Sequence, residues 1–395
     1  MKKILYVHHG RGIGGAPLSL LYTIRGLDRS RYEPVVLCIY DSEAVDLFRR
    51  EGITTYVSSG IHDFSHTNVL WYRWWQAPKI LFKALMIPVS CWKAKRFLSL
   101  HPVDIVHLNT STLFAFAAAA SSAGIKVVWH VREPLAKGYL GVRRSMVRRC
   151  IHRYADAVIP ICKHDAEQLI PSGKVHVVYN FIDFSVFDRD VEGASVRDRY
   201  DIGPQEKAVL MLGGVNPIKG TREFVQAAAR ILEKHQDYWF FVAGEVPKKT
   251  ARTLVSGRWK YAREVSGIVE RIPRRDKIVF TGNVSQVVPF IAAADLVCFP
   301  STVPHFARPI IEAGAMAKPV VASDLGGPRE LVVPGKTGLL VQPGDPDALA
   351  DAITAILEHP ETASAMGEAG YRFAREHFDA ETNIQEIMNI YARLV

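Results

Sequence analysis

Two side chains stand where their type and spacing could do chemistry on an anionic ligand. Glu312 is a single acid in the apolar run IIEAGAMA, within LVCFPSTVPHFARPIIEAGAMAKPVVASD (296–324). That stretch reads as strand, loop, short helix, strand. A loop leaving a parallel strand for a helix lies at the carboxyl edge of a sheet, where open α/β folds bind ligands and a helix start offers free N–H groups. A carboxylate there suits a pair of ribose hydroxyls, since it can accept two hydrogen bonds at once. The plainer alternative is an acid placed early in a helix and favoured by its dipole. Lys219, in LGGVNPIKG, follows a strand closed by Gly213-Gly214 and precedes the helix TREFVQAA. A lysine at a helix start suits a diphosphate; alone, the tripeptide would be a solvated loop. Gly335-Lys336-Thr337 is a decoy, because a phosphate-binding loop would need glycine at 330, where Glu330 stands.

Near the start, Gly10, Gly12 and Gly15 form a literal G-x-G-x-x-G after the strand KILYV and before the helix SLLYTIRGL. The next strand, VVLCIYD (35–41), ends in Asp41. This imitates a dinucleotide fingerprint.

The elements that must position these residues alternate. VDLFRREG, ITTYV, DIVHLNT (104–110), an alanine-rich helix (113–123), KVVWHVRE (126–133), a basic helix over 143–154, AVIP, the helix DAEQLI and VHVVYN (175–180) follow one another. Strands and helices joined by short connections predict a parallel sheet covered on both faces. The pattern lapses from Phe181 to Glu206. A second series then begins, with strands at 208–214, 238–245, 277–282, 296–300, 319–324 and 338–342. The expected organisation is a domain over 1–185 with an insertion at 64–103, a linker over 186–206, a second domain over 207–365, and C-terminal helices over 366–395 that pack back on the first domain.

Length and composition agree. At 395 residues, two domains can each build a core. The net charge is +9, and its distribution is uneven: residues 1–200 hold 27 Lys and Arg against 17 Asp and Glu, so all the basic excess lies in the first half. Such a surface attracts anionic lipid, nucleic acid or an acidic substrate. Residues 64–103 contain no acid, and interleave Arg73, Lys79, Lys83, Lys93, Lys95 and Arg96 with Trp71, Trp74, Trp75, Phe82, Trp92 and Phe97. That is the composition of a segment lying on an anionic membrane surface, or of helices on the domain whose lysines snorkel outward. No nucleic-acid-binding motif accompanies the charge. Five scattered cysteines without C-x-x-C predict reduced thiols in a cytoplasmic protein, peripheral at the inner face of the membrane if the insertion binds it. The apolar run after Met1-Lys2-Lys3 covers only Ile4 to Val7, too short for a signal peptide.

The chain resembles the retaining glycosyltransferases of family 4 (glycosyl transferases group 1), on GGAPLSLLYTIRGL, DIVHLNTS, VVWHVRE, VVYNFID, LGGVNPIKG, VFTGNVSQVVPFIAAADLVCFPS and PHFARPIIEAGAMAKPVVASDLGGPRELVVPGKTGLLVQPGD. The resemblance implies the GT-B fold, two Rossmann-like α/β domains facing across a cleft. It also implies transfer of a sugar, with retention and no metal or other cofactor, from a UDP- or GDP-sugar to a saccharide or lipid-linked acceptor. By position, it implies ribose binding for Glu312 and diphosphate binding for Lys219 beside Gly213 and Gly214. Gly14 and Gly15 would admit the diphosphate or sugar, and His130 would lie near the donor sugar. His305, Phe306, Ala307 and Arg308 would line that sugar with main-chain N–H groups. Two departures stand out. The first glutamate of the family's E-x7-E falls at Pro304, and the arginine five residues before the lysine falls at Gly214. Arg308 or Arg329 would have to supply the missing cation. Two rival readings remain: an NAD(P)-dependent oxidoreductase using the N-terminal glycines and Asp41, and a catalytically degenerate GT-B protein that only binds a nucleotide or partner.

Overall fold

The computed structural model describes residues 1–10, 12, 14–62, 64 and 76–395, with only the backbone of residue 252. Trp71, Arg73, Trp74 and Trp75 of the insertion lie outside the described residues. Two compact units result, one of 1–181 with 380–395, the other of 182–379.

Each unit is built on six parallel strands. In the first they are β1 Lys2–His8, β2 Tyr32–Cys38, β3 Thr54–Val57, β4 Ile105–Leu108, β5 Lys126–Val131 and β6 Ala157–Pro160, ordered β3-β2-β1-β4-β5-β6. In the second they are β7 Lys207–Leu212, β8 Tyr238–Ala243, β9 Ile278–Gly282, β10 Leu296–Phe299, β11 Val320–Ser323 and β12 Gly338–Val341, ordered β12-β11-β10-β7-β8-β9. The second order repeats the first, and both are the doubly wound dinucleotide-fold arrangement. Its chain reversal puts a crevice at the carboxyl ends of β1 and β4, and of β7 and β10. Central strands such as ILYV in β1 and VLML in β7 are fully buried, because helices cover both faces.

The structure departs from the expected elements in several places. VHVVYN is not a strand. Val175 bridges Val158, and His176 and Val178 then donate to the carbonyls of Val158 and Pro160. β6 is an edge strand ending in Pro160, which has no N–H with which to continue a ladder. The helix expected over DAEQLI is the four-residue Lys163–Ala166; Pro171 disfavours helical backbone just before it. β2 ends at Cys38, leaving Asp41 exposed three residues beyond. The stretch 186–206 belongs to the second unit. Within its short helix Ala194–Arg199, Arg197 donates to the carbonyls of Ala293, Gly203 and Glu206 and, at 2.7 Å, to the Asp295 carboxylate.

The C-terminal stretch divides. Helix Pro360–His377 stays with the second unit, because Gly314, Gly367 and Gly370 let it lie against helix Arg308–Ala315; a Cβ on Gly367 would fall 2.0 Å from the Ala317 carbonyl oxygen. Helix Ala380–Leu394 joins the first unit and buries Ile384, Ile387 and Tyr391 beside Tyr6, Leu20 and Ile24. Of the insertion, helix Ile87–Leu100 sends Ala94 and Leu98 into the core, while helix Ala77–Leu85 buries no residue. Among the described residues no helix is long and apolar enough to cross a membrane, and the five cysteines form no disulfide.

Candidate functional site

In the second unit, the carboxyl ends of β7 and β10 gather a polar group around Lys219. After β7 the backbone turns at Gly213 (φ 125°) and Gly214 (φ 65°). A Cβ on Gly214 would lie 2.5 Å from both N and O of Glu245, so the position where the resemblance expects an arginine accepts no side chain. The Asn216 side chain accepts from Ile218 N–H at 3.1 Å, capping the 3₁₀ turn Pro217–Lys219. That turn presses Gly220 (φ 75°) onto Pro300, whose carbonyl oxygen would be 1.7 Å from a Cβ there.

Lys219 is thereby laid over Gly213, its Nζ 5.0 Å from the Phe299 ring centroid and 2.7 Å from His305 Nε2. His305 Nδ1 is 2.9 Å from the Val303 carbonyl oxygen, so Nδ1 carries the hydrogen and Nε2 accepts from the ammonium. Ser301 Oγ supports both loops, 2.8 Å from the carbonyl oxygens of Ile218 and Val303. Burial pulls the Lys219 pKa down to about 8, against the opposing pull of Glu312. Burial and then the Lys219 charge push His305 down to about 3. At neutral pH a lysine cation is therefore held against a neutral imidazole.

Glu312 is buried on helix Arg308–Ala315 and accepts from Arg308 Nε at 3.0 Å, an i,i+4 pair with both side chains largely out of solvent. Arg308 is thus committed to the carboxylate rather than standing clear in the loop. Arg329, the other candidate for the missing cation, is exposed and paired through two nitrogens with Asp324. Pro304 is exposed, and the residue that reaches Lys219 is its neighbour His305. Phe306 and Ala307 are buried, main chain as well as side chain at Ala307.

In the first unit the glycine-rich turn leads into helix Gly15–Arg25. Gly14 is its N-cap, without a side-chain cap. A Cβ on Gly12 or Gly14 would meet nothing within 4 Å. His130 on β5 is buried, 2% exposed, and its Nδ1 lies 3.0 Å from His107 Nε2. His107 Nδ1 is 2.6 Å from Tyr391 Oη, which is 3.1 Å from Tyr6 Oη. Burial, with the nearby Arg132 charge, keeps both imidazoles neutral. Arg132 donates to Asn109 at 2.5 Å and to Asn180 at 2.9 Å. Glu133 Oε1 takes three donors, Thr110 Oγ1, Ser111 N and Ser111 Oγ, at 2.5–2.8 Å.

Sequence reading missed His107, Asn109, Arg132, Glu133 and Tyr391 as site groups. DIVHLNT sets His107 and Asn109 two apart, and HVRE sets Arg132 two after His130 with Glu133 next to it, a usable signal; Tyr391 has none.

Comparison with known proteins decides the family. Residues 13–186 match Glycosyltransferase Family 4, and residues 195–373 match Glycosyl transferases group 1. The chain belongs to the family 4, group 1 glycosyltransferases. N-acetyl-alpha-D-glucosaminyl L-malate synthase of Bacillus anthracis is 27% identical over 57% of this chain and 55% of its own. A lipopolysaccharide core biosynthesis mannosyltransferase of Rhizobium leguminosarum bv. viciae is 32% identical over 49% of this chain and 52% of its own. The chain thus spans about half the length of these two relatives. The Anabaena protein HepE, solved in complex with UDP, superposes with a TM-score of 0.80 at 23% identity, covering 99% of this chain and all of that one. The fold is GT-B. The family match, from residue 13, takes in Gly14 and Gly15.

Proposed function

We propose that the protein moves a sugar from a UDP- or GDP-sugar to a saccharide or lipid-linked acceptor in glycan biosynthesis, with retention of anomeric configuration and without a metal ion. The observation that carries this reading is the Lys219 group beside the Arg308–Glu312 pair, at the switch point of a family-matched unit. The names of the relatives and the UDP complex of HepE support it.

On this reading the nucleoside diphosphate binds the second unit. The ribose hydroxyls donate to Glu312, which Arg308 orients. The diphosphate sits at Lys219, whose charge stabilises the oxygen that gains charge as the glycosidic bond breaks; removing such a partner typically costs about 3 kcal/mol. The leaving phosphate oxygen takes the proton of the incoming hydroxyl, so no protein carboxylate acts as nucleophile. The N–H groups of residues 305, 306 and 308 line the donor sugar. Gly14 and Gly15 leave backbone open to a phosphate or sugar, and His130 meets a sugar oxygen.

A thermal-shift panel of UDP, GDP, ADP and their sugars tests the nucleotide: a ligand at 100 times its Kd adds about 2.7 kcal/mol, and no stabilisation by any of them overturns the reading. NMR of the product anomer tests retention. Turnover that collapses in EDTA and returns with a divalent ion would remove the metal-free mechanism. Complete absence of donor hydrolysis on prolonged incubation, with nucleotide binding intact, would favour the degenerate binder instead.

A second reading concerns the insertion. Helices Ala77–Leu85 and Ile87–Leu100 expose Leu81, Phe82, Leu85 and Trp92 beside Lys79, Lys93 and Arg96. We infer that this face lies on an anionic bilayer, at the inner surface of the cell membrane.

A further inference from the structure

The row Tyr6, Tyr391, His107, His130 has a direction that the inventory of its hydrogens fixes. Period-two alternation puts Tyr6 on β1, His107 on β4 and His130 on β5 on the sheet face that helix Ala380–Leu394 covers, and that helix inserts Tyr391 among them. The Tyr391 hydroxyl, 2.6 Å from His107 Nδ1, can donate to that nitrogen or accept from it, and the inventory of hydrogens decides which. With Tyr391 donating to His107, the Tyr6 hydroxyl donates to Tyr391, and His107 Nε2–H donates to His130 Nδ1 at 3.0 Å. In the reverse direction the fully buried Tyr6 hydroxyl hydrogen would have no acceptor among the described residues, a cost the forward order avoids.

We propose that Tyr391 is a positioning residue: acting through His107, it fixes His130 as the Nε2–H tautomer, so that His130 presents a hydrogen-bond donor to a sugar hydroxyl oxygen. The hydrogen on His130 Nε2 is the one in the row left without a protein acceptor among the described residues. Both imidazoles are neutral, as the row requires, because each must keep one lone pair. Only the identity of the ligand as a sugar rests on the function proposed above; the tautomers do not.

The test is a long-range ¹H–¹⁵N spectrum of the full chain labelled with ¹⁵N-histidine. His107 and His130 should both show a protonated Nε2 and a bare Nδ1. Tyr391→Phe removes the donor, and both rings should move toward mixed-tautomer shifts, although residue 391 does not bond His130. Tyr6→Phe leaves Tyr391 its donor, and both rings should stay as in the wild type. A purely structural role would lower Tm in either variant and leave the tautomers unchanged. A wild-type His130 protonated at Nδ1, or unchanged shifts in Tyr391→Phe, overturns the proposal. If that variant does not fold, the wild-type spectrum decides alone. Titration with UDP-glucose and GDP-mannose is the separate arm for the ligand. A shift of the His130 Nε2–H signal supports the sugar contact; binding seen elsewhere in the spectrum with that signal unmoved rejects it and leaves the tautomer result standing.

Discussion

The Lys219 cation carries the sharpest residue-scale expectation. With a pKa near 8 it is mostly charged at pH 7 and mostly neutral at pH 9. A diphosphate that needs the charge should bind about tenfold more weakly at pH 9, by linkage; titration calorimetry with UDP reads this, and pH-independent affinity would separate Lys219 from the phosphate. The sign for stability is opposite. The unfolded lysine, with its ordinary pKa of 10.5, holds the extra proton between pH 8 and 10.5, so this group's contribution to stability rises with pH over that window. At Arg308, substitution by alanine should weaken nucleotide binding by releasing Glu312 from its orientation. Breaking a largely buried pair also costs stability, about 3–5 kcal/mol at most. Full donor affinity and activity in Arg308→Ala would leave the arginine with no part in the site.

At the scale of elements, two glycines make a contrast. A Cβ at Gly220 would strike the Pro300 carbonyl oxygen at 1.7 Å in a left-handed backbone, and nothing there can yield without moving the end of β10. Gly220→Ala should therefore lose well over about 1 kcal/mol and displace Lys219. At Gly26 the obstacle is the Ile384 Cδ1 methyl, 2.3 Å from a built Cβ, which a rotamer change removes. Gly26→Ala should cost less, and chemical denaturation of the two variants checks the order. Helix Ala380–Leu394 is the element on which the first unit's core depends: deletion of residues 380–395 strips Ile384, Ile387 and Tyr391 from it. That truncation should aggregate or lose cooperative unfolding, as light scattering and thermal melts would show.

For the whole molecule, the charge asymmetry sets the expectation. The first 200 residues carry the entire basic excess, and the exposed Leu81, Phe82, Leu85 and Trp92 lie within that half. Sedimentation with phosphatidylserine or phosphatidylglycerol vesicles should retain the protein at low salt and release it as ionic strength rises. Replacing Lys79, Lys93 and Arg96 by glutamine should abolish retention without changing UDP affinity. Failure to pellet with anionic vesicles at low salt removes the membrane reading.

Much of the fold was legible because buried parallel strands announce themselves as apolar runs between turn residues, and both series of six could be placed that way. Lys219 and Glu312 were legible because loop-to-helix transitions after such strands are where a doubly wound sheet leaves N–H groups open. The membership of residues 186–206 and of the two C-terminal helices was not, since it depends on Arg197 meeting Asp295 and on Gly367 meeting Ala317, contacts between distant segments. Nor could local pattern show that Gly214 has no room for an arginine, that Arg308 turns to Glu312, or that His305 receives Lys219. Sequence by itself determined the twelve strands and most of the turns, VHVVYN being the one apolar run that forms only a bridge, because periodicity and turn chemistry act over a few residues. Tertiary structure alone decided which polar groups meet, because hydrogen bonds such as that of Tyr391 with His107, 284 positions apart, exist only once the sheet and its covering helix have packed.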